Sequence, residues 1–186
     1  MTDETIQAAQ LGYIPDRPHE WLEVDGIKVP CGITIPWYAD GAIWGIKVRR
    51  SAGEQRYQQA SGGNAKGCLY FADHIQPGLP IVITEGEFDV LIAWQVGGKS
   101  LSPASIGSAS NRWINPRWFG KLPAAPRIWV CLDSDEAGVK AAAEIALISS
   151  AVRVVHVPME KDVNAFYLRA DRSLVDNWFG SLLHGE

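Results

Sequence analysis

The sequence has few residues of the kinds that crosslink a chain or anchor it in a membrane. Its three cysteines, Cys31, Cys68 and Cys131, lie far apart and form no CxxC pair, so neither a disulfide framework nor a zinc site is indicated. No apolar run approaches the roughly 18 residues of a membrane span, and the N-terminus MTDETIQAAQ lacks a signal-peptide pattern. We therefore expect a protein without a membrane segment, in a reducing, cytoplasmic setting.

Positive charge is also scarce overall, but it is unevenly distributed. The 186 residues carry a net charge of −4, which argues against indiscriminate binding of nucleic acid. Between residues 47 and 66, however, basic side chains outnumber the single acid Glu54. Phosphate contact is one interpretation of this stretch, and a solvated hairpin face is the other. The basic residues are Lys47, Arg49, Arg50, Arg56 and Lys66.

The first 78 residues favour a small α+β subdomain. TDETIQAAQ predicts a short capped helix, and Asp25-Gly26 marks a turn. AIWGIKVRR and GEQRYQQA predict an antiparallel hairpin that turns at Ser51 to Gly53. Aromatic side chains in this region could stack on bases, although core packing is the better explanation for most of them. They are Trp37, Tyr38, Trp44 and Tyr57.

From residue 79 to residue 186 strands and helices alternate, which predicts a parallel sheet covered by helices. IVIT at 81–84 is a buried strand, and RIWVCL and VRVVHVP are later strands. SLSPASIGSAS contains a short strand followed by a loop that is either an ordinary polar loop or a phosphate cradle. NRWINPRWFGKL predicts a helix broken at Pro116. In EAGVKAAAEIALIS, an apolar stripe predicts the buried face of a helix; it comprises Val139, Ala143, Ala146 and Leu147.

Acidic side chains follow the strands of this region. Glu85 comes directly after the first strand, and Asp89 lies one helical turn further on. Asp133 and Asp135 follow the third strand and are two residues apart, and Asp162 follows the fourth. Because the carboxyl ends of parallel strands meet at one edge of the sheet, we expect these acids to gather there.

A cluster of acids repels itself unless a cation lies within it. Oxygen ligands without histidine or cysteine favour Mg²⁺ or Mn²⁺ over zinc, and the implied chemistry is phosphoryl transfer. Three simpler interpretations stand beside this one. Asp162 could cap the following helix, the segment Asp133 to Asp135 could be a capping loop, and Glu87 fits a solvated acid at a helix start.

The motifs EGEFD, DSDEAG and KDVN, in this order, resemble the TOPRIM domain of primases, topoisomerases and some nucleases. The flanking segments LGYIP, IPWYADGAIWGIKVRR and RYQQASGGNAKGCLYF resemble the basic N-terminal subdomain of the DnaG-type primase core. EGEFDVLIAWQ and KDVNAFY are similar to the primase part of phage primase–helicases. The resemblance thus indicates the catalytic core of a DnaG-like primase of phage or plasmid type.

This resemblance implies a TOPRIM (Rossmann-like) sheet at 79–186, a basic subdomain at 1–78, and specific roles. Glu85, Asp133 and Asp135 would be catalytic, and Asp89 and Asp162 would join them as metal ligands. The basic residues of the 47–66 stretch would contact template or nucleotide phosphates. The implied activity is Mg²⁺- or Mn²⁺-dependent synthesis of RNA primers from NTPs on single-stranded DNA, with no zinc in this chain and with a helicase fused or acting in trans. A TOPRIM nuclease or an inactive nucleic-acid-binding module is the alternative.

Overall fold

A computed structural model describes residues 1–16, 21–51, 53–63, 67–111, 122 and 125–185. The chain divides into two compact units, Thr2–Lys66 and Gly67–Glu186, the second of which also includes Met1. The two units are described separately below. The helix predicted for NRWINPRWFGKL lies almost wholly outside the described residues.

The first unit is built on antiparallel strands. Helix α1 begins where the Thr2 hydroxyl accepts a hydrogen bond from the Thr5 backbone N–H (3.3 Å). One sheet has the strand order β1-β4-β5-β6, and β2 and β3 form a separate hairpin. The elements are α1 (Asp3–Ala8), β1 (Gly12–Ile14), β2 (Trp21–Val24), β3 (Ile27–Pro30), β4 (Gly32–Ala39), β5 (Ala42–Arg49) and β6 (Tyr57–Gln59).

Two Asp-Gly pairs make the tight turns of this unit. Asp25 and Gly26 join β2 to β3, and Asp40 and Gly41 join β4 to β5, all four with positive φ. Positive φ at both central residues gives the turn whose twist matches paired strands. The predicted pairing of β5 with β6 is confirmed, with Lys47 opposite Gln59 and Arg49 opposite Tyr57. A small core forms around the buried side chains Val29, Val48 and Ala60.

The second unit contains the predicted parallel sheet, with strand order β10-β9-β7-β8. All of its strand pairs are parallel. Two short 3₁₀ turns, Ala72–His74 and Gly98–Ser100, complete the elements. The strands and helices are β7 (Ile81–Thr84), α2 (Glu87–Gly97), β8 (Ser102–Ser105), β9 (Ile128–Cys131), α3 (Glu136–Ala146), β10 (Val152–Val154), α4 (Val163–Arg169) and α5 (Arg172–His184).

The connections of this sheet run in opposite directions. From β7 the chain passes through α2 to β8 at one edge, and from β9 it passes through α3 to β10 at the other. Because such crossovers are right-handed, opposite directions place α2 and α3 on opposite faces. The core beside α2, α4 and α5 includes Val82, Trp129, Phe166 and Phe179. The predicted α/β class, with a smaller α+β part before it, is therefore confirmed.

The predicted buried face of α3 is wrong. Val139 and Leu147 are exposed, Leu147 to 87%, whereas the buried face comprises Gly138, Ala141, Ala142 and Ile145. Close packing decides which face of α3 is buried, since a Cβ atom on Gly138 would lie 2.1 Å from the carbonyl oxygen of Asp133. Small residues let the helix approach the β9 loop, so the bulkier apolar stripe faces outward.

The unit boundary differs from the division after residue 78 that the sequence suggested. Residues 67–78 belong to the second unit. Tyr70 forms an antiparallel bridge with Ser105 through two backbone hydrogen bonds of 2.8 and 3.0 Å. Leu69, Tyr70 and Ala72 are buried. The segment that closes the basic region in sequence thus extends the edge of the parallel sheet next to β8.

Two further observations concern the part of the chain that the structure describes. There, no helix combines the length and apolar character needed to cross a bilayer. Cys31, Cys68 and Cys131 are buried free thiols. They lie in the core, as a small apolar side chain commonly does.

Candidate metal centre and active site

The candidate site lies at the carboxyl ends of the adjacent strands β7 and β9. Thr84 pairs with Cys131 at the end of the ladder, so Glu85 and Asp133 emerge close to one another. This is also the place where the two crossovers diverge, and open α/β sheets bind their ligands in the crevice at such a switch point. The predicted gathering of acids at one sheet edge therefore has a topological cause.

Glu85 is held through its backbone. The Ser105 hydroxyl donates a hydrogen bond of 2.6 Å to the Glu85 carbonyl oxygen, and accepts one of 2.8 Å from the Gly107 N–H. In the side chain of Glu85, Oε2 is buried, and no described residue donates a hydrogen bond to it. A buried carboxylate oxygen left in this way is suited to a cation or a proton.

Asp133 and Asp135 have different surroundings although they are two residues apart. Asp133 is half-buried, whereas Asp135 is exposed. Asp135 caps α3, since its Oδ1 accepts a 2.8 Å hydrogen bond from the Gly138 N–H. The capping interpretation is therefore right for Asp135. Its second oxygen is available to a ligand, and its role in metal binding stays a prediction.

Asp89 and Asp162 are tied to the start of α4. Asp162 caps that helix, because its Oδ1 accepts a hydrogen bond of 2.6 Å from the Ala165 N–H. Oδ1 of Asp89 accepts a hydrogen bond of 2.8 Å from the Asn164 N–H. Burial raises the pKa of Asp89 to about 7, against the donated backbone hydrogen bonds, and the charges of Asp162 and Asp133 raise it further. The capping role of Asp162 is thus confirmed, and its role toward metal stays a prediction.

Asp133 is the electrostatic centre of the acids. Burial raises its pKa to about 6, and the neighbouring carboxylates of Glu85, Asp162 and Asp135 add to this effect, while Lys161 opposes it. The carboxylates that raise the pKa of Asp133 therefore come from three separate loops. A divalent cation would stabilise the ionised form of such a group and lower its pKa.

The acids suit a hydrated magnesium ion in their chemistry. Among the described residues, no three acidic, histidine or cysteine side chains are already arranged as a ligand set. Magnesium needs no such set, because it keeps several waters and is usually held by one or two carboxylates together with substrate phosphates. Glu85 and Asp133 meet this requirement, since one offers an unbonded buried oxygen and the other is half-buried among acids.

Two features of this region escaped the sequence analysis. Glu87, interpreted as a solvated acid, is 1% exposed. The pKa of the buried Tyr70 is raised by burial and also by the charge of Glu87, which places the two side chains near each other. The Ser105 hydroxyl was also missed, because its bond to Glu85 depends on strand register that no local motif encodes.

Lys161 was missed as well. Its ammonium lies 3.0 Å from Oδ2 of Asp162 and 3.7 Å from Oδ2 of Asp133. It stands directly before Asp162 in the KDVN motif, so the sequence signal was a lysine next to a predicted ligand. The ammonium of Lys161 thus bridges two candidate metal ligands.

Four of the predicted basic residues lie on the β5–β6 hairpin. Lys47 and Arg49 alternate along β5, so their side chains share one face of the sheet. Nζ of Lys47 lies 5.0 Å from the centroid of the Tyr57 ring and 5.9 Å from that of Trp37, a cation–π arrangement. This face therefore combines basic and aromatic groups.

The other basic residues are placed differently. The guanidinium of Arg50 lies over the turn, with its nearest atom 3.2 Å from the position that a Cβ atom on Gly53 would take. The backbone N–H of Arg50 donates a hydrogen bond of 2.8 Å to the Arg56 carbonyl oxygen. The side chain of Arg56 is exposed. Lys66 lies outside the described residues. The structure thus brings four of the five predicted residues onto one hairpin, with Lys47 and Arg49 on the same face.

The remaining candidates resolve as structural groups for the most part. Trp37 is buried, as core packing predicts, whereas Trp44 and Tyr57 are partly exposed. The loop after β8 is closed by its own side chains: Asn111 donates to the Ile106 carbonyl (2.8 Å) and accepts from the Gly67 N–H (3.1 Å). These bonds support the ordinary-loop interpretation of that segment.

Comparison with known proteins agrees with this geometry. Residues 82–167 match the family model described as Toprim-like. The whole chain is similar to the primase fragment of the bacteriophage T7 primase–helicase protein, at 26% identity over 95% of this chain and 70% of that chain, with a TM-score of 0.72. Residues 82–167 thus match a Toprim-like domain, and the chain has the fold of a DnaG-type primase core. No curated protein matches its sequence.

Two DnaG structures extend the likeness of this primase-type fold. The DnaG catalytic core aligns at 15% identity over 100% of this chain and 69% of that chain, with a TM-score of 0.69. A DnaG primase catalytic domain bound to single-stranded DNA aligns at 16% identity over 99% of this chain and 70% of that chain, with a TM-score of 0.66. At these identities the DnaG likeness concerns the fold, and it spans both units.

Proposed function

We propose that this chain is a DNA primase core that joins NTPs into short RNA primers on a single-stranded DNA template, with Mg²⁺ or Mn²⁺. The observation that carries the proposal is the position of Glu85 and Asp133. They follow neighbouring strands at the switch point of a TOPRIM-like sheet, in a chain whose whole fold is that of a primase core. A nucleotidyltransferase of the primase type is the kind of enzyme this supports.

The acids take the following roles in this proposal. Glu85, with its buried and unbonded oxygen, accepts or shares the proton of the attacking hydroxyl, and Asp133 and Asp135 bind the metal. Asp89 and Asp162 support them from the start of α4. A metal held by these acids would supply positive charge to offset the charge that develops on the transferred phosphate. Ser105 fixes the Glu85 backbone, and so restricts where the Glu85 carboxylate can reach.

The basic hairpin supplies the opposite charge. Lys47 and Arg49 share a face with the partly exposed ring of Tyr57, which suits phosphates and bases of single-stranded nucleic acid. Arg56 and Lys66 complete the predicted phosphate contacts, and Arg50 contributes charge from the turn. In this proposal the first unit, Thr2–Lys66, holds template and nucleotide, while the second unit, from Gly67 onward, carries the metal chemistry.

The partners follow from the same comparison. The similar T7 protein is a fragment of a primase–helicase, and one similar DnaG domain is bound to single-stranded DNA. We propose single-stranded DNA and NTPs as ligands here, and a replicative helicase, fused or in trans, as the associated machine. The cytoplasm is the proposed place of action.

Primer synthesis tests the proposal directly. The protein is incubated with single-stranded DNA of mixed sequence, Mg²⁺ or Mn²⁺ and labelled NTPs, and the products are separated by length. We expect dinucleotides and short oligonucleotides that depend on template and metal. Asp133→Asn should abolish them while leaving the circular dichroism spectrum unchanged, because it removes the charge at the centre of the acids and keeps the side-chain shape.

The alternatives predict other products. A TOPRIM nuclease would shorten the labelled DNA or RNA without forming a primer, and a binding module would retain template binding with no product at all. Either result, obtained with folded protein over a range of templates, would refute the primase assignment.

A further inference from the structure

Lys161 stands between two acids that belong to different loops. Its ammonium pairs with Asp162 at 3.0 Å and reaches Asp133 at 3.7 Å. Asp133 follows β9, while Asp162 caps α4. The lysine side chain is 71% exposed, whereas the two carboxylates are largely covered. A solvated cation therefore rests on the outer side of partly buried acids.

The backbone fixes this position. The carbonyl oxygen of Lys161 accepts a 2.9 Å hydrogen bond from the Ser134 N–H, which joins the loop after β9 to the start of α4. Asp162 is held in turn by its cap to Ala165. The lysine is thus anchored at its Cα and mobile only along its side chain, so the ammonium can leave the acids without any movement of the loops.

The acids need a counter-charge in every state. Lys161 favours the ionised form of Asp133, against the burial and the neighbouring carboxylates that raise the pKa of this acid. The same two acids raise the pKa of Lys161, so the ammonium stays charged throughout the range in which the site works. In metal-free protein, this cation offsets part of the repulsion among the carboxylates.

We propose that Lys161 is an exchangeable counter-ion: its ammonium occupies Asp133 and Asp162 in the metal-free protein and is displaced when a divalent cation enters. This inference rests on the proposed metal site and adds regulation to it. The acids have a counter-charge before and after the exchange, so the loops can keep their arrangement with and without the metal. Because the ammonium and the divalent cation compete for the same carboxylates, Lys161 lowers the metal affinity below the value that the carboxylates alone would give.

The direction of this effect separates it from a structural role. Loss of a residue that supports the site weakens metal binding, whereas loss of a competitor tightens it. Exposed ion pairs are individually weak, so competition from Lys161 should reduce metal affinity by roughly two- to fivefold. Lys161→Gln removes the charge and keeps a polar side chain of similar reach, and Lys161→Arg keeps the charge.

The test measures Mn²⁺ binding to the full chain without nucleotide, by electron paramagnetic resonance of free Mn²⁺ and by calorimetry. Lys161→Gln should bind Mn²⁺ roughly two- to fivefold more tightly than wild type, and Lys161→Arg should bind it with near wild-type affinity. Without metal, Lys161→Gln should melt at a lower temperature than wild type, and Mn²⁺ should raise its melting temperature by more. Unchanged or weaker Mn²⁺ binding in Lys161→Gln would overturn the inference.

A matched control comes from α4. Arg169 is also 71% exposed and pairs with Glu160 at 2.9 Å, but Glu160 is not one of the clustered acids. Arg169→Gln should leave Mn²⁺ affinity unchanged; tightening equal to that of Lys161→Gln would reduce the effect to general charge and overturn the inference. Asp133→Asn reports on the site itself: if it binds Mn²⁺ as well as wild type, the proposed metal site fails, whatever Lys161→Gln does.

Discussion

Asp89 carries a buried carboxyl group whose ionisation is opposed by its neighbours. Its pKa is about 7 in the folded chain against an ordinary value of 3.8, mainly because of burial. When a folded-state pKa is raised, the stability that the group provides is complete below its ordinary pKa and is lost as the pH rises through the folded-state value. The metal-free protein should therefore become less stable between about pH 4 and pH 7.

Asp89→Asn should remove much of this slope. Asparagine keeps the oxygen that accepts from Asn164 but has no proton to lose. In urea denaturation without metal, wild type should lose up to about 1.4 kcal/mol more per pH unit than the variant over this range. Asp25→Asn, at an exposed turn, is the control and should keep the wild-type slope. An equal slope in Asp89→Asn would contradict the assigned pKa.

Single residues also show where sequence reasoning ended. The acids after strands β7 and β9 were identifiable, because a buried apolar run followed by Glu85 or Asp133 is visible locally. The capping of α3 by Asp135 was one of two open interpretations, and only the bond to Gly138 selects it. Ser105 and the buried position of Glu87 depend on register and packing between distant segments, which single-residue propensities do not encode.

At the scale of the element, the approach of α3 to the loop after β9 is the tightest packing near the site. A Cβ atom on Gly138 would lie 2.1 Å from the Asp133 carbonyl oxygen. Gly138→Ala should therefore destabilise the fold by about 1–3 kcal/mol, although alanine favours helix, and should also weaken Mn²⁺ binding because the Asp133 backbone has to move. Chemical denaturation followed by circular dichroism, together with Mn²⁺ titration, measures both effects.

Gly180 provides the matched control within α5. Beyond the backbone of its own helix, no atom of the described residues lies within 4 Å of the Cβ position there, so Gly180→Ala should stabilise the protein by about 0.5–1 kcal/mol through helix propensity. Its Mn²⁺ affinity should not change. If both glycine variants shifted stability in the same direction, the contact between α3 and the β9 loop would not be the constraint inferred here.

The same packing explains what could be predicted of the elements. The parallel sheet followed from β-branched runs alternating with helical segments, and its strands were placed correctly. The face of α3 was not, because its sequence holds two stripes of small or apolar residues, one through Val139 and Leu147 and the other through Ala141 and Ile145. Hydrophobicity favours the first stripe. The short distance to the β9 loop selects the second.

At the scale of the whole molecule, the division into two units locates the smallest fragment that should fold with its site. Residues 67–186 include the Tyr70–Ser105 bridge and the core around Val82 and Phe166. This fragment should unfold cooperatively and bind Mn²⁺ as the full chain does. It should form no primer, because it lacks the basic hairpin.

A fragment that begins at residue 79 is the comparison. It lacks the buried side chains of Leu69 and Tyr70 and exposes the edge of β8, so it should be less stable than 67–186 and prone to aggregate. Thermal unfolding and light scattering distinguish the two fragments. Equal stability would favour the boundary after residue 78 that the sequence suggested.

The strand order of the parallel sheet predicts which of its strands unfold last. β7 and β9 are hydrogen-bonded on both sides, whereas β10 and β8 lie outside them. The backbone amides of the central strands β7 and β9, such as those of Ile83 and Val130, should be the last to exchange hydrogen for deuterium. Glu85 and Asp133 directly follow these two strands. The two strands that precede the acids should therefore keep their hydrogen bonds while the outer strands unfold locally. They should lose protection from hydrogen exchange only when the whole unit unfolds.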